Sequence, residues 1–462
     1  MDLVNDRAKL VLGILGVIKC GYLLLGDKCQ AIYDYACDGK EAMNSVGFYE
    51  RLGELLPKNA KGFELVGNRR QTEELSKASD SLRRALLNLV PKDANRAVAS
   101  ELSKIPLAGR VLNQSFDKIA APTAILCRNN GEAEYISDLL HKKGIQHNLL
   151  RGVQQNRTLK RFIADCLWDY HADTLITRKD FANRYRARVV DDEASAYEAF
   201  DALSYAAHGD AKDFIVIEEL AGKLCRQTSK LPEALINQNT SLLTVSTIHK
   251  AKGREFDAVY LIDGDFSVKA NDTEEARVWY VGFTRAKKQI HKLSKPKGLR
   301  FRRSKTDDAR WVQTIRHKWN HPPGDHCSNV VLGLPADFSE AGFVKGDLAQ
   351  ALDTQDYIAC EVSVGDPIEV VLAGEAYQAK HNGNVIGHMD GNMRSNLHKI
   401  ARESNPRSGA PPCMSNLYVA NIVTITPYRF PDDVPPYFRK SKFWLGVELT
   451  GFPNIDWYYN KS

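Results

Sequence analysis

Between residues 242 and 293 the chain alternates short apolar runs with polar turns. Leu242, Leu243 and Val245 form one run and residues 258–262 another, separated by Thr247, His249, Lys250, Lys252, Gly253 and Glu255. The pattern predicts a strand, a cationic turn or short helix, and a second strand. Asp272, with Glu275 three residues on, has capping-box spacing and predicts a helix carrying Arg285 near its far end. Residues 289–293 predict a closing strand. Upstream, 122–128 reads as strand, 132–143 as helix and 145–150 as strand, a βαβ unit whose right-handed crossover places it in a parallel sheet. At the N-terminus, 7–19 reads as helix and 22–25 as a short buried strand. Residues 64–88 read as a strand end, a turn and a helix.

Two further regions change the period. Residues 152–240 are mostly helical in pattern, over 159–170, 194–207 and 215–224. Residues 336–462 carry short β-type runs between Gly, Pro and Asn turns, which predicts a small barrel or open sheet. Trp444, Trp457, Tyr458 and Tyr459 in this region read as core.

The chain has 462 residues, 43% hydrophobic, enough for two or three domains. Its net charge of +6 permits nucleic-acid binding without requiring it. Nine cysteines without a CxxC pair predict reduced thiols and an intracellular setting. Residues 10–18 are apolar after Arg7 and Lys9, but acidic residues precede them and Lys19 follows. That pattern predicts a buried helix, not a signal peptide or a membrane span, and a cytoplasmic protein. His317, His321, His326 and Cys327 lack a common ligand frame because Pro322-Pro323 interrupts it, so no metal site is expected.

Five motifs carry a resemblance. TIHKAKGREFDAVYLID (247–263) and EEARVWYVGFTRAKK (274–288) resemble motifs V and VI of UvrD/Rep-like superfamily 1 DNA helicases. GDKCQAIYDY (26–35) resembles motif III, NRRQ (68–71) the NYRS motif, and ILCRNN (125–130) motif IVa. The resemblance implies an α/β fold with a RecA-like parallel sheet of the P-loop NTPase type, the second motor domain. A helical insertion and a C-terminal β-rich domain complete it.

By the same resemblance Arg285 and Arg70 face the γ-phosphate of ATP and Gln30 senses it. Gly253 and Glu255 contact nucleotide ribose or the strand. Tyr35, Thr247 and His249 lie along single-stranded DNA. Tyr35 also reads as a rim tyrosine, and Arg70 as part of a solvated basic turn. Arg128 either meets phosphate or orients its loop. The cluster 178–190, with Phe181 and Tyr185 among its arginines, either grips a duplex backbone or is a solvated helix face.

The expected domains are a remnant of the first RecA-like domain (1–66) and the second RecA-like domain (67–151 with 241–296). A helical 2B-like insertion (152–240), a basic linker (297–335) and the β-rich domain (336–462) follow. Segment 365–389 resembles HIRAN or SH3-like modules.

No GxxxxGK[ST] is present, since neither Gly39-Lys40 nor Gly222-Lys223 is followed by Ser or Thr. Asp2 lies where motif II would end, which predicts that magnesium ligands and catalytic glutamate come from elsewhere. The expectation is the C-terminal part of an ATP- and Mg-dependent 3′–5′ helicase that works with a polypeptide carrying Walker A and DExQ. The alternative is a non-catalytic nucleic-acid-binding or regulatory module.

Overall fold

The computed structural model describes residues 3–33, 37, 42–56, 60–65, 67–150, 158–170, 175–226, 231–237, 241–263, 273–295, 300–307, 310–317, 324–403 and 408–455. Asp2, Tyr35, Lys40, Asp272, His321, Trp457, Tyr458 and Tyr459 lie outside them. Two compact units emerge. One holds Met1–Asn129, His147–Leu150 and Ser241–Pro296; the other holds Asn130–Gln146, Arg151–Thr240 and Lys297–Ser462.

The first unit is built on a six-stranded parallel sheet. Its strands are β1 (Leu107–Gly109), β2 (Thr123–Cys127), β3 (Asn148–Leu149), β4 (Leu243–Thr247), β5 (Phe256–Ile262) and β6 (Ala286–Leu293). They lie in the order β1-β6-β5-β2-β4-β3, with every neighbouring pair parallel. β2 and β4 are buried at every position. A parallel strand covered on both faces favours apolar positions, and Ala124, Ile125, Leu126, Leu243 and Val245 are the signal these runs gave. Leu75, Leu82, Val98 and Leu102, from the helices Glu73–Asn88 and Pro91–Lys104, share one core with Ala124, Leu126, Val259 and Leu261 of the sheet.

The expected strand at 22–25 does not form; residues 21–27 have no regular structure, and Leu23 is 79% exposed. An apolar run becomes a strand only where another backbone supplies its hydrogen bonds, and among the described residues none does. The N-terminal helix Asn5–Val17 is present, and its Ala8 and Leu12 pack on Phe48 and Leu52 of the helix Ser45–Leu55.

In the second unit, helices Arg178–Arg188, Glu193–His208 and Ile217–Leu224 enclose Phe181, Phe200, Leu203 and Leu220. A short antiparallel pair, Leu175–Thr177 with Phe214–Val216, joins them. The stretch 297–335, expected as a basic linker, instead carries a three-stranded antiparallel sheet of Arg300–Arg303, Trp311–His317 and Gly324–Val330. Its alternation was hidden because Arg300, Arg302 and Arg303 flank Phe301, which packs on Gly131 so closely that a Cβ there would meet it at 2.8 Å.

The C-terminal region is an antiparallel sheet centred on Cys413–Ile425, with helices Leu348–Glu361 and Met393–Arg402 alongside. The two-residue strand Leu159–Lys160 pairs with Val423 and Thr424, so the insertion joins this sheet directly. The α/β class with RecA-like parallel sheet, helical insertion and β-rich C-terminal region stands. Among the described residues no helix is long and apolar enough to cross a membrane.

Candidate functional site

In the first unit the motif residues fall at both edges of the same parallel sheet. Glu255 and Arg285 immediately precede β5 and β6, where those strands begin. Thr247 and Arg128 lie at the ends of β4 and β2, at the opposite edge of a parallel sheet. The residues expected at nucleotide and those expected at DNA therefore separate to opposite edges.

At the first edge, Asn68 forms a turn in which its Oδ1 accepts from the backbone N–H of Arg70 and Gln71, at 3.1 and 3.3 Å. Gln71 Nε2 donates to the Ala286 carbonyl (2.8 Å) and Thr72 N–H to the Lys287 carbonyl (2.9 Å). This staples the turn to β6 and aims Arg70 at Glu255, which accepts from its Nη1 at 2.5 Å. Gly253, at φ +83°, occupies the left-handed region that glycine tolerates freely.

Arg285 is 2% exposed. Its Nε donates to the Val281 carbonyl, Nη1 to the Arg254 carbonyl and Nη2 to Thr284 Oγ1, each at 3.0 Å. Burial, then the nearby Arg70 charge, lower its pKa, opposed by Glu255. The guanidinium expected to reach out to phosphate is thus turned into its own unit.

Motif III sits on a 3₁₀ turn, Lys28–Gln30, capped by Asp27. Asp27 Oδ2 accepts from Gln30 Nε2 at 2.9 Å, and Oδ1 accepts from Arg83 at 2.5 Å. Lys252 Nζ donates to the Gln30 carbonyl at 2.5 Å and lies 5.2 Å from the Tyr33 ring centroid. Burial, reinforced by the Arg285 charge, lowers the Lys252 pKa to about 8. Asp27, Arg83, Tyr33 and Lys252 were not singled out as site residues from the sequence. GDKCQAIYDY and KAKG contain three of them, so the signal was there, attached to neighbouring positions.

The residues expected along DNA have local partners. Thr247 is buried and caps the helix Ile248–Ala251, its Oγ1 accepting from Lys250 N–H at 3.3 Å. His249 packs edge-on against Tyr33. Burial first, then Arg128, lower its pKa to about 4, so it is neutral at pH 7. Arg128 makes a bidentate pair with Glu275, 2.8 Å from Nε to Oε1 and 2.6 Å from Nη2 to Oε2. That geometry matches the loop-orienting alternative. Glu275 also accepts from Trp279 Nε1 at 2.9 Å; the capping-box expectation falls on Asp272, outside the described residues, and the helix Glu274–Phe283 has Thr273 at its N-cap without a side-chain cap bond. Tyr35 lies outside the described residues.

The basic cluster in the second unit is likewise neutralised. Arg178 pairs with Asp201, Arg184 and Arg188 with Asp169, and Arg186 with Asp191. Among the described residues no group of His, Cys, Asp and Glu could hold a metal ion.

A six-stranded parallel α/β sheet with cationic residues gathered at one edge is consistent with a RecA-like domain. Residues 242–291, which include β4, β5 and Arg285, match the UvrD-like helicase C-terminal domain family. No curated protein matches the chain. The matched stretch supports a helicase-family role and nucleic-acid interaction in general.

Proposed function

We propose that the chain is the C-terminal part of an ATP-dependent 3′–5′ DNA helicase or translocase, supplying arginine fingers and single-stranded DNA contacts. The observation that carries this reading is the gathering of Arg70, Glu255, Lys252 and Arg285 at one sheet edge, with Gln30 tied to Lys252. Three cations around one carboxylate suit a polyphosphate, so ATP fits the donor set. When bound, ATP supplies the phosphoanhydride whose cleavage drives movement. Arg70 would exchange Glu255 for phosphate, and Arg285 would leave the Val281 and Arg254 carbonyls to neutralise developing charge. Gln30 would link that exchange to the Tyr33–His249 side. Magnesium ligands and the P-loop are not among these residues and would be supplied by a polypeptide carrying Walker A and DExQ. The polarity rests on the resemblance alone.

The alternative, a regulatory module that binds nucleic acid without hydrolysing ATP, is favoured by one observation: every nitrogen of the Arg285 guanidinium already has an oxygen partner. ATPase assays separate the readings. The chain alone should show no turnover, with or without single-stranded DNA. Adding a polypeptide with Walker A and DExQ should give DNA-stimulated turnover that falls by about 10³-fold or more in Arg285→Ala and also falls in Arg70→Ala. Turnover indifferent to both substitutions would favour the regulatory reading. DNA-stimulated turnover by the chain alone, abolished by Arg285→Ala, would sink the split-motor reading.

A further inference from the structure

The helical region of the second unit holds a cavity of about 490 Å³ lined by Ala207, His208, Lys212, Glu219, Lys223 and Arg226. That size falls within the range of small-molecule sites, ~300–1,000 Å³. Its walls come from the end of the helix Glu193–His208, the turn after it, and the helix Ile217–Leu224 with the residues just beyond. Three cations face a single carboxylate. Among the described residues Lys223 and Arg226 have no carboxylate partner, and the nearest contact of Lys212 Nζ with one is a long 3.9 Å to Asp210.

His208 adds an independent sign. Its side chain is 4% exposed, and Nδ1 lies 3.1 Å from Glu219 Oε2. That carboxylate fixes a proton on Nδ1, which leaves Nε2 an acceptor in the neutral ring and a second donor when the ring is charged. Nε2 is buried and has no hydrogen-bond partner among the described residues. A buried ring nitrogen without a partner thus belongs to a wall that also carries two lysines, an arginine and one carboxylate.

We propose that this cavity binds a phosphomonoester. A phosphate monoester is doubly charged with a second pKa near ~6, so it satisfies the cations and either accepts from or donates to Nε2. A sulfate, which carries no proton at neutral pH, meets only half of that requirement. Phe214 packs against both the His208 ring (5.7 Å between centroids) and Lys212 Nζ (5.9 Å), and is 40% exposed. It offers a flat apolar surface beside the cavity to whatever the phosphate is attached to. The ester could be a free nucleotide or the 5′-phosphate of a nucleic-acid end. Gly222-Lys223 takes part here from within a helix, without the amide cradle of a P-loop. The site shares no residue with the sheet edge in the first unit and stands whether or not the motor reading does.

Titration calorimetry of the full chain tests it, with inorganic phosphate, thymidine monophosphate, and one oligodeoxynucleotide bearing either a 5′-phosphate or a 5′-hydroxyl. Inorganic phosphate should bind more tightly than sulfate. Affinity should fall at least tenfold in the double variant Lys223→Ala/Arg226→Ala; both side chains are exposed, so its thermal melting should be unchanged. Phosphate should also shift the His208 imidazole nitrogen resonances in the parent and not in the double variant. Preference for the monophosphate identifies a nucleotide site, and preference for the phosphorylated over the hydroxyl oligonucleotide identifies an end-binding site. Equal affinity in parent and double variant, or no difference between the 5′-phosphate and 5′-hydroxyl strands together with no binding of phosphate or monophosphate, overturns the proposal.

Discussion

His249 shows how burial redirects a residue that sequence alone assigns to a ligand. Its ring stands against Tyr33, near the Arg128–Glu275 pair, and its pKa falls to about 4. The unfolded value is near 6.5, so the folded state binds fewer protons between these limits. The associated stability is complete above about pH 6.5 and is lost as pH falls towards 4. Between pH 7.5 and 5 this one group should remove roughly 2 kcal/mol. In urea titrations at those two pH values, His249→Gln should show that much less loss than the parent chain. An unchanged pH dependence would mean that the ring is solvated. The sequence placed His249 and Glu255 on the turn that holds Gly253, and Arg70 and Arg285 on separate segments. It did not reveal which partners each side chain prefers, because several come from distant segments, 185 residues away in the case of Arg70 and Glu255.

At the scale of elements, legibility followed covering. β2, β4 and β5 were readable because strands inside a parallel sheet bury most of their positions and so carry apolar runs, although β4 also buries Thr244, Ser246 and Thr247. The short run 22–25 had the same composition and no pairing partner among the described residues, and it did not form a strand. The opposite error occurred at 300–303, where a strand half-covered by Phe301 was masked by arginines. Leu159–Lys160 was read as the start of a helix, although its strand character depends on Cys413–Ile425, more than 250 residues on. Thr424 secures that junction: its Oγ1 donates to the Lys160 carbonyl (2.7 Å) and accepts from Ala164 N–H (2.9 Å). Thr424→Val keeps the shape and leaves both groups unpaired, which should cost roughly 1–3 kcal/mol. Chemical denaturation followed by tryptophan fluorescence checks this, Trp168 and Trp444 lying in the same core. A loss below about 0.5 kcal/mol would show that water replaces the hydroxyl.

For the whole molecule, the residues expected as four domains and a linker group into two compact units, with the insertion and the C-terminal region in one of them. Two-residue strands do not persist alone, so Leu159–Lys160 should protect its amides only while Cys413–Ile425 is folded. Hydrogen exchange should therefore show residues 159–167 and 413–425 opening together on raising denaturant, at a different midpoint from β2 and β4 of the first unit. Independent opening of the insertion would restore it as a separate domain.

The position of β4 between β2 and β3 also dictates an order of assembly at the ribosome. A nascent chain that has emerged only as far as residue 240 has made β2 and β3, but the strand that must lie between them has not yet been synthesised. Those two strands wait, with nothing to pair them, through the whole insertion. The insertion in turn waits for Cys413–Ile425 before Leu159–Lys160 has a neighbour. Each unit is thus completed only by sequence that follows part of the other, and release of the chain at any point between residues 240 and 425 leaves at least one sheet open.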